Sequence, residues 1–293
     1  MKLVTFTHRT GTKPGLLVDG GERVVDLSGE VRDMLELIEQ GEKLSAELDR
    51  FLQPKMPRFD VADVRLMAPL PRPPRNIFCV GKNYRDHARE FSKSGFDSSA
   101  VKGEVVPELP IVFSKPPSSV IGPGAPVDAS LDPLHSVDYE AELAVVIGRR
   151  GRVGPHDDPW SFVFGYTLVN DVTSRELQKQ HKQWLLGKGI DGFCPMGPAI
   201  VTKDSIPNIG EAWITCHVNG ELRQRALIAD LIFDIPTLVR TIGRSITLEP
   251  GDVIATGTPA GVGIGFAPPR YLRAGDVVRI ELAAIGVLEN PII

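Results

Sequence analysis

The sequence predicts a mainly β chain with few helices, an α+β arrangement in which long ordered loops join short strands. Short apolar runs recur at residues 111–113, 139–147, 162–169, 214–218, 253–255 and 277–282, each too brief for a globular helix. Twenty-nine glycines and 25 prolines punctuate the spaces between them. That density favours turns and loops over the regular strand–helix alternation of a doubly wound sheet. No internal repeat or low-complexity tract interrupts the pattern.

Taken in order, residues 2–6 and 14–26 have strand-like spacing around the turn Asp19-Gly20-Gly21. Residues 31–52 carry Met34, Leu35, Ile38, Leu44, Leu48, Phe51 and Leu52 at helical intervals. Pro69, Pro71, Pro73 and Pro74 then break regular structure. They place a boundary between a small N-terminal α/β domain with a Pro-rich linker, residues 1–74, and a catalytic domain, residues 75–293. Within the second domain, residues 83–91 read as a short helix and 173–184 as a longer one, with Thr173-Ser174-Arg175-Glu176 matching a capping box. Arg175, Gln178 and Lys182 would share one face of that helix, which suits either solvent or a site.

A net charge of −4 and a pI near 5.9, without long single-sign blocks, provide no footprint for nucleic acid or an anionic membrane. Cys79, Cys194 and Cys216 are odd in number and widely spaced, against a disulfide framework or zinc ribbon. The opening Met1-Lys2-Leu3-Val4-Thr5-Phe6 lacks a signal-peptide core, and no run approaches the roughly 20 apolar residues of a membrane span. The expectation is a soluble, cytoplasmic protein.

Glu140 and Glu142 stand two residues apart in an apolar run and therefore on one strand face, about 6–7 Å between Cα atoms. Two like charges there need a cation or donors, and a hard divalent ion is the simplest compensation. Asp171 closes a second strand-like run and completes a candidate ligand trio, although each acid also fits a solvated face or a turn. His87 and Glu90, three apart on a short helix, suit a carboxylate-oriented general base or ordinary surface. Lys188 sits among glycines in the 186–198 loop, and Gly257 and Thr258 lie in the Gly-rich 255–263 turn. These fit an anion-holding role or plain loop chemistry, and the turn lacks the Gly-Lys-Ser/Thr ending of a nucleotide-binding loop.

In sequence order, residues 77–278 carry Gly81-Lys82-Asn83-Tyr84 with His87 and Glu90, Phe113-Ser114-Lys115-Pro116, the Glu-x-Glu strand and Asn170-Asp171-Val172-Thr173. The Gly-Lys loop through Pro195-Met196-Gly197-Pro198 and residues 257–263 follow. Together they resemble the fumarylacetoacetate hydrolase superfamily, in its acylpyruvate hydrolase and hydroxyheptadienedioate isomerase-like branch. The resemblance implies a mixed β-sandwich roll, usually a homodimer, holding one Mg²⁺ or Mn²⁺ per subunit. It places metal ligands at Glu140, Glu142 and Asp171, a catalytic lid dyad at His87 and Glu90, and the site lysine at Lys188. Tyr84, Arg175, Gln178, Gly257 and Thr258 are expected against substrate. Gly189, where many relatives have Ser, and Ala199, where many have a larger residue, depart from the pattern.

The function implied is hydrolysis of a C–C bond in a β-diketo acid such as an acylpyruvate, within aromatic-compound catabolism. The metal would hold the enolate, His87 oriented by Glu90 would activate water, and Lys188 would add positive charge. Oxaloacetate decarboxylation or 2-hydroxydienoate isomerisation on the same ion is the alternative, and a non-enzymatic dimeric scaffold with a structural metal is a third reading. In the enzymatic readings the partner is a small keto acid.

Overall fold

The computed structural model describes residues 1–9, 11–41, 43–46, 48–96 and 105–293. Strands β1 (Lys2–His8), β2 (Gly11–Val18) and β3 (Arg23–Asp26) form an antiparallel meander. Gly20 and Gly21, at φ 72° and 100°, make the tight turn between β2 and β3. The helical spacing at 31–52 resolves into three pieces, α1 (Met34–Gln40), α2 (Lys43–Ala46) and α3 (Leu48–Phe51). Asp33 caps the first by accepting from Glu36 N–H at 2.9 Å, and Gly41 at φ 53° ends it. Glu42, Glu47 and the side chains of Leu44 and Leu48 lie outside the described residues. Strands β4 (Arg58–Asp60) and β5 (Arg65–Leu66) lead to the proline cluster.

Beyond it come β6 (Ile77–Gly81), α4 (Arg85–Lys93), β7 (Ile111–Lys115), β8 (Val120–Ile121), β9 (Val137–Asp138), β10 (Ala141–Ile147) and β11 (Val163–Asn170). They are followed by β12 (Thr173–Ser174), α5 (Arg175–Gln180), α6 (Leu185–Lys188), β13 (Cys194–Thr202), β14 (Trp213–Val218) and β15 (Glu221–Leu227). Helix α7 (Ile235–Gly243), β16 (Val253–Ala255), β17 (Val277–Leu282) and β18 (Gly286–Pro291) complete the chain. The large mixed sheet runs β4-β3-β2-β1-β13-β11-β10-β16-β6-β7, with β5 on β1 and β8 on β13. A four-stranded sheet, β15-β14-β17-β18, packs over one of its faces. The result is the mainly β, mixed-sheet sandwich expected from the sequence.

Strand β10 is buried at every position because both of its faces are covered. Val145 and Ile147 pack towards the four-stranded sheet with Ile214, Val218 and Ile280. Ala144 and Val146 pack the other way, with Leu37 and Ile38 of α1 and Leu3 of β1. Burial on two sides explains a nearly continuous apolar run where a one-sided strand would alternate. Among the described residues no helix is long and apolar enough to cross a membrane.

Several local readings are corrected. Thr173 and Ser174 form a two-residue strand on β9, and the side chain of Ser174, the α5 N-cap, makes no capping bond. The Thr173 hydroxyl donates to Asp171 O at 2.8 Å, and Glu176 N–H is capped instead by Ser136 Oγ at 3.0 Å, so tertiary contact replaces the capping box. The helix stops at Gln180, and Lys182 lies beyond it, exposed and at φ 60°. It therefore shares no face with Arg175 and Gln178. Helix α4 starts two residues later than read, because the Asn83 side chain is spent on Phe233 and Thr256. Strand β13 was hidden by Pro195 and Pro198; the sheet tolerates Pro198 where the pairing with β11 shifts register, and Pro195 lies ahead of that ladder, opposite Ile121 of β8.

Gly165 lies in β11 where an added Cβ would meet the Val201 carbonyl oxygen at 2.3 Å. Gly165→Ala is expected to destabilise the protein by about 2 kcal/mol or more through overpacking against backbone. Equilibrium denaturation checks this, and an unchanged midpoint would show that β11 and β13 have room to separate.

Candidate active site

The register of β10 on β11 pairs Ala141 with Asn170, so the residues just outside the ladder, Glu140 and Asp171, face each other. Asp171 N–H donates to Glu140 O at 2.9 Å, and Glu140 N–H to Asn170 Oδ1 at 2.9 Å. The carboxylates of Glu140, Glu142 and Asp171 thereby converge, one oxygen from each lying within 4.8 Å of the others, all buried. Lys188 Nζ reaches Glu140 Oε2 and Asp171 Oδ2, both at 2.7 Å. Lys115 Nζ takes Asp171 Oδ1 at 2.7 Å, and Arg175 Nη1 takes Glu140 Oε1 at 2.7 Å. Glu142 Oε2 accepts Gly257 N–H at 2.8 Å.

These surroundings divide the acids. Burial pushes the Glu142 carboxyl well above the ordinary range, and the neighbouring Asp171 and Glu140 push it further. Burial works the same way on Glu140, but Lys188, Arg175 and His87 outweigh it and hold that carboxyl low. Lys188 is lowered by burial yet raised overall by Asp171 and Glu140, so it stays an ammonium. A trio of hard oxygen donors containing one acid that resists ionisation among like charges fits a divalent cation of the Mg²⁺ or Mn²⁺ type. Glu140, Glu142 and Asp171 are the residues that can hold it.

A small cavity opens beside the acids, with His87, Glu140, Arg175, Gln178 and Lys188 in its wall and Phe91, Phe113 and Trp184 as its apolar side. Arg175 is nearly fully buried. Its Nε donates to Asp138 Oδ2 at 2.9 Å and its Nη1 to Gln178 Oε1 at 3.3 Å, while Nη2 has no partner among the described residues. A buried unpaired guanidinium N–H on a cavity is an anion receptor waiting for its anion.

His87 Nδ1 lies 3.3 Å from Glu90 Oε2, and both Glu90 oxygens accept Gly261 N–H, at 3.1 and 3.2 Å. The Gly-rich turn therefore binds the carboxylate of Glu90 on helix α4. Gly257, at φ 106°, directs its N–H to Glu142. Thr258 lines the cavity, its hydroxyl accepting from Gln224 at 2.8 Å. Tyr84 lies in a separate groove with Arg85, Arg225 and Pro259 and does not line the cavity. Gly189 and Ala199 do not line it either: a Cβ on Gly189 would meet Leu185 O at 2.9 Å, and Ala199 packs with Val4, Phe6 and Val24.

Three residues escaped the sequence reading as site components. Asp138 continues the alternation of Glu140 and Glu142 by one more step of two, a signal present in the same strand. Lys115 stands in the Phe113-Ser114-Lys115-Pro116 motif but had no assigned role. Gln224 carried no signal, since only the approach of β15 brings its amide to Ala141 N–H, Thr258 and Pro259 O.

Residues 76–293 match the family described as fumarylacetoacetate (FAA) hydrolase, C-terminal. The chain is 42% identical over 296 residues to oxaloacetate tautomerase YisK of Bacillus subtilis (strain 168), covering 95% of each. Fumarylacetoacetate hydrolase from psychrophilic Exiguobacterium antarcticum superposes with a TM-score of 0.84 at 39% identity, covering 100% of this chain and 99% of that one. Maleylpyruvate hydrolase from Sphingobium sp. SYK-6, in complex with manganese(II) and pyruvate, superposes at 0.80 with 30% identity and the same coverage.

Glu142 makes metal affinity depend on pH. In the metal-free protein its carboxyl keeps a proton above the unfolded value of 4.5, so its contribution to stability falls as pH rises from there through the raised folded value. A divalent ion displaces that proton. The gain in Tm from saturating Mn²⁺ is therefore expected to grow as pH rises above the unfolded value of 4.5. Thermal scans with and without metal across a pH series test it; a gain that does not grow with pH would show that binding displaces no proton from Glu142.

Proposed function

Because the chain belongs to the fumarylacetoacetate hydrolase family, we propose that it is a divalent-metal-dependent enzyme that interconverts the keto and enol forms of oxaloacetate or a similar four-carbon 2-oxo diacid. The observation that carries this reading is Arg175 Nη2, buried and without a partner among the described residues, in a pocket wall that also holds Glu140 and Lys188, an arrangement that suits a short keto diacid. The activity named for the Bacillus subtilis relative supports it as well.

Glu140, Glu142 and Asp171 would hold a divalent ion, which would supply Lewis acidity toward a 2-oxo acid. Arg175 offers Nη2 to a substrate carboxylate, with Gln178 beside it. Donation of Nδ1–H to Glu90 leaves His87 Nε2 as an acceptor that takes the proton from C3. Lys188 Nζ, kept charged by its two acids, stabilises negative charge developing on the C2 oxygen, and the proton that His87 took from C3 is returned to that oxygen to complete the enol. Phe91, Phe113 and Trp184 keep bulk water from the exchange.

Hydrolysis of a C–C bond in a β-diketo acid is the second reading, favoured by the His87–Glu90 pair, which also suits activation of water, and by the likeness to maleylpyruvate hydrolase. Turnover by the native enzyme separates the two, and His87→Ala tests the base that both require. For tautomerisation, kcat is expected to fall by about 10²-fold with any acylpyruvate cleavage negligible in the native enzyme. A native enzyme that cleaves acylpyruvates faster than it tautomerises oxaloacetate, judged from both products, replaces the first reading with the second.

Lys188→Met is expected to keep Mn²⁺ binding while losing about 3 kcal/mol of transition-state stabilisation, the scale of a positioned electrostatic donor. An unchanged kcat with normal metal affinity would reduce Lys188 to a counter-ion of the acids.

A further inference from the structure

Asp138 is fully buried and does not itself line the cavity, yet its carboxylate is saturated by four donors from three segments. Oδ1 accepts Tyr139 N–H at 2.8 Å and Gly263 N–H at 2.6 Å. Oδ2 accepts Ile264 N–H at 3.1 Å and Arg175 Nε at 2.9 Å. A carboxylate fixed by three backbone N–H groups has no freedom to rotate, so the fourth bond holds the guanidinium plane in a single orientation. Glu140 and Gln178 then occupy Nη1. Only Nη2 remains, unpartnered and buried beside the cavity.

We propose that Asp138 is a positioning residue that sets substrate-carboxylate affinity by aiming Arg175 Nη2 into the cavity, and that it does so without touching substrate or metal. The inference rests on reading the cavity as a 2-oxo diacid site, though not on which reaction occurs there. Asn is nearly isosteric with Asp, but it replaces one accepting oxygen by an NH₂ donor. Whichever way that amide turns, it loses Ile264 N–H and Arg175 Nε or the pair on the other oxygen. In the first case the guanidinium is freed to follow Glu140; in the second the side chain that holds it has lost two of its three backbone anchors.

The test uses the full chain loaded with Mn²⁺ and oxalate as the probe, followed by calorimetry. Asp138→Asn is expected to weaken oxalate binding about tenfold or more while Mn²⁺ affinity stays within about twofold of native. Arg175→Lys keeps the charge and leaves the contacts of Asp138 with the 263–264 turn, but loses the Nε bond. It is expected to weaken oxalate to a similar degree, and the double variant to be no weaker than either single one. Because Arg175→Lys does not disturb the turn, it also decides the matter if Asp138→Asn fails to fold. Additive losses in the double variant, native oxalate affinity in Arg175→Lys, or a fall in Mn²⁺ affinity matching the fall in oxalate affinity would each overturn the inference. Oxalate that binds the native protein and Asp138→Asn equally overturns it alone; oxalate that fails to bind the native protein overturns the cavity reading with it.

Discussion

Three carboxylates buried within 4.8 Å of one another are the constraint on which the rest of this structure depends. Each would lose hydration worth several kcal/mol if it stood alone. Their compensation arrives from separate elements: Lys115 from the end of β7, Arg175 from the start of α5 and Lys188 from the end of α6. No local segment holds both an acid of the trio and its cation. The cluster therefore forms only when the long connections around it have folded, and the rigid loops between short strands are a consequence of the charges they deliver. Glu142 is the member left with only a backbone N–H and two like-charged neighbours, which is why its carboxyl is the one driven upward.

The two-sided burial of β10 supplies the platform. With the four-stranded sheet on one face and α1 with β1 on the other, the strand cannot slip by one residue without moving the Glu142 carboxyl into apolar surroundings. Register and chemistry are thus fixed by the same packing. The cations respond in kind. Lys188 lies 5.1 Å from the Phe113 ring centre and Arg175 6.0 Å from that of Phe91, so the aromatic wall of the cavity also steadies the charges beside it.

Much of this was legible in the sequence because it is local. The Glu140–Glu142 alternation, the position of Asp171 at the end of an apolar run and the three-residue spacing of His87 and Glu90 all follow from the periodicities of strand and helix. What escaped was set by tertiary contact. The capping pattern at Thr173 failed because Ser136, 40 residues before Glu176, does the capping. Lys182 fell off its expected face because the helix ends a turn early. Tyr84 matches the family pattern yet stands in a neighbouring groove, since only the packing of Leu231 and Pro259 decides on which side of the turn it lies. Gln224 illustrates the limit: nothing in its neighbourhood distinguishes it from any glutamine on an antiparallel strand.

The pairing of β1 with β13, Lys2 opposite Val201 and Leu3 opposite Ile200, joins residues about two hundred apart in the chain. On the ribosome, β1, β2 and β3 can close their meander early and β5 can cover Phe6 and Thr7, but the Lys2–Leu3 end of β1 keeps one edge open until β13 has emerged. At about 5–20 residues per second that wait lasts on the order of ten seconds or more. Such long-range closure makes for slow folding and a strand edge able to pair with other nascent chains in the meantime. The same pairing that seals the finished sheet thus makes this chain's synthesis the period of its greatest exposure to aggregation.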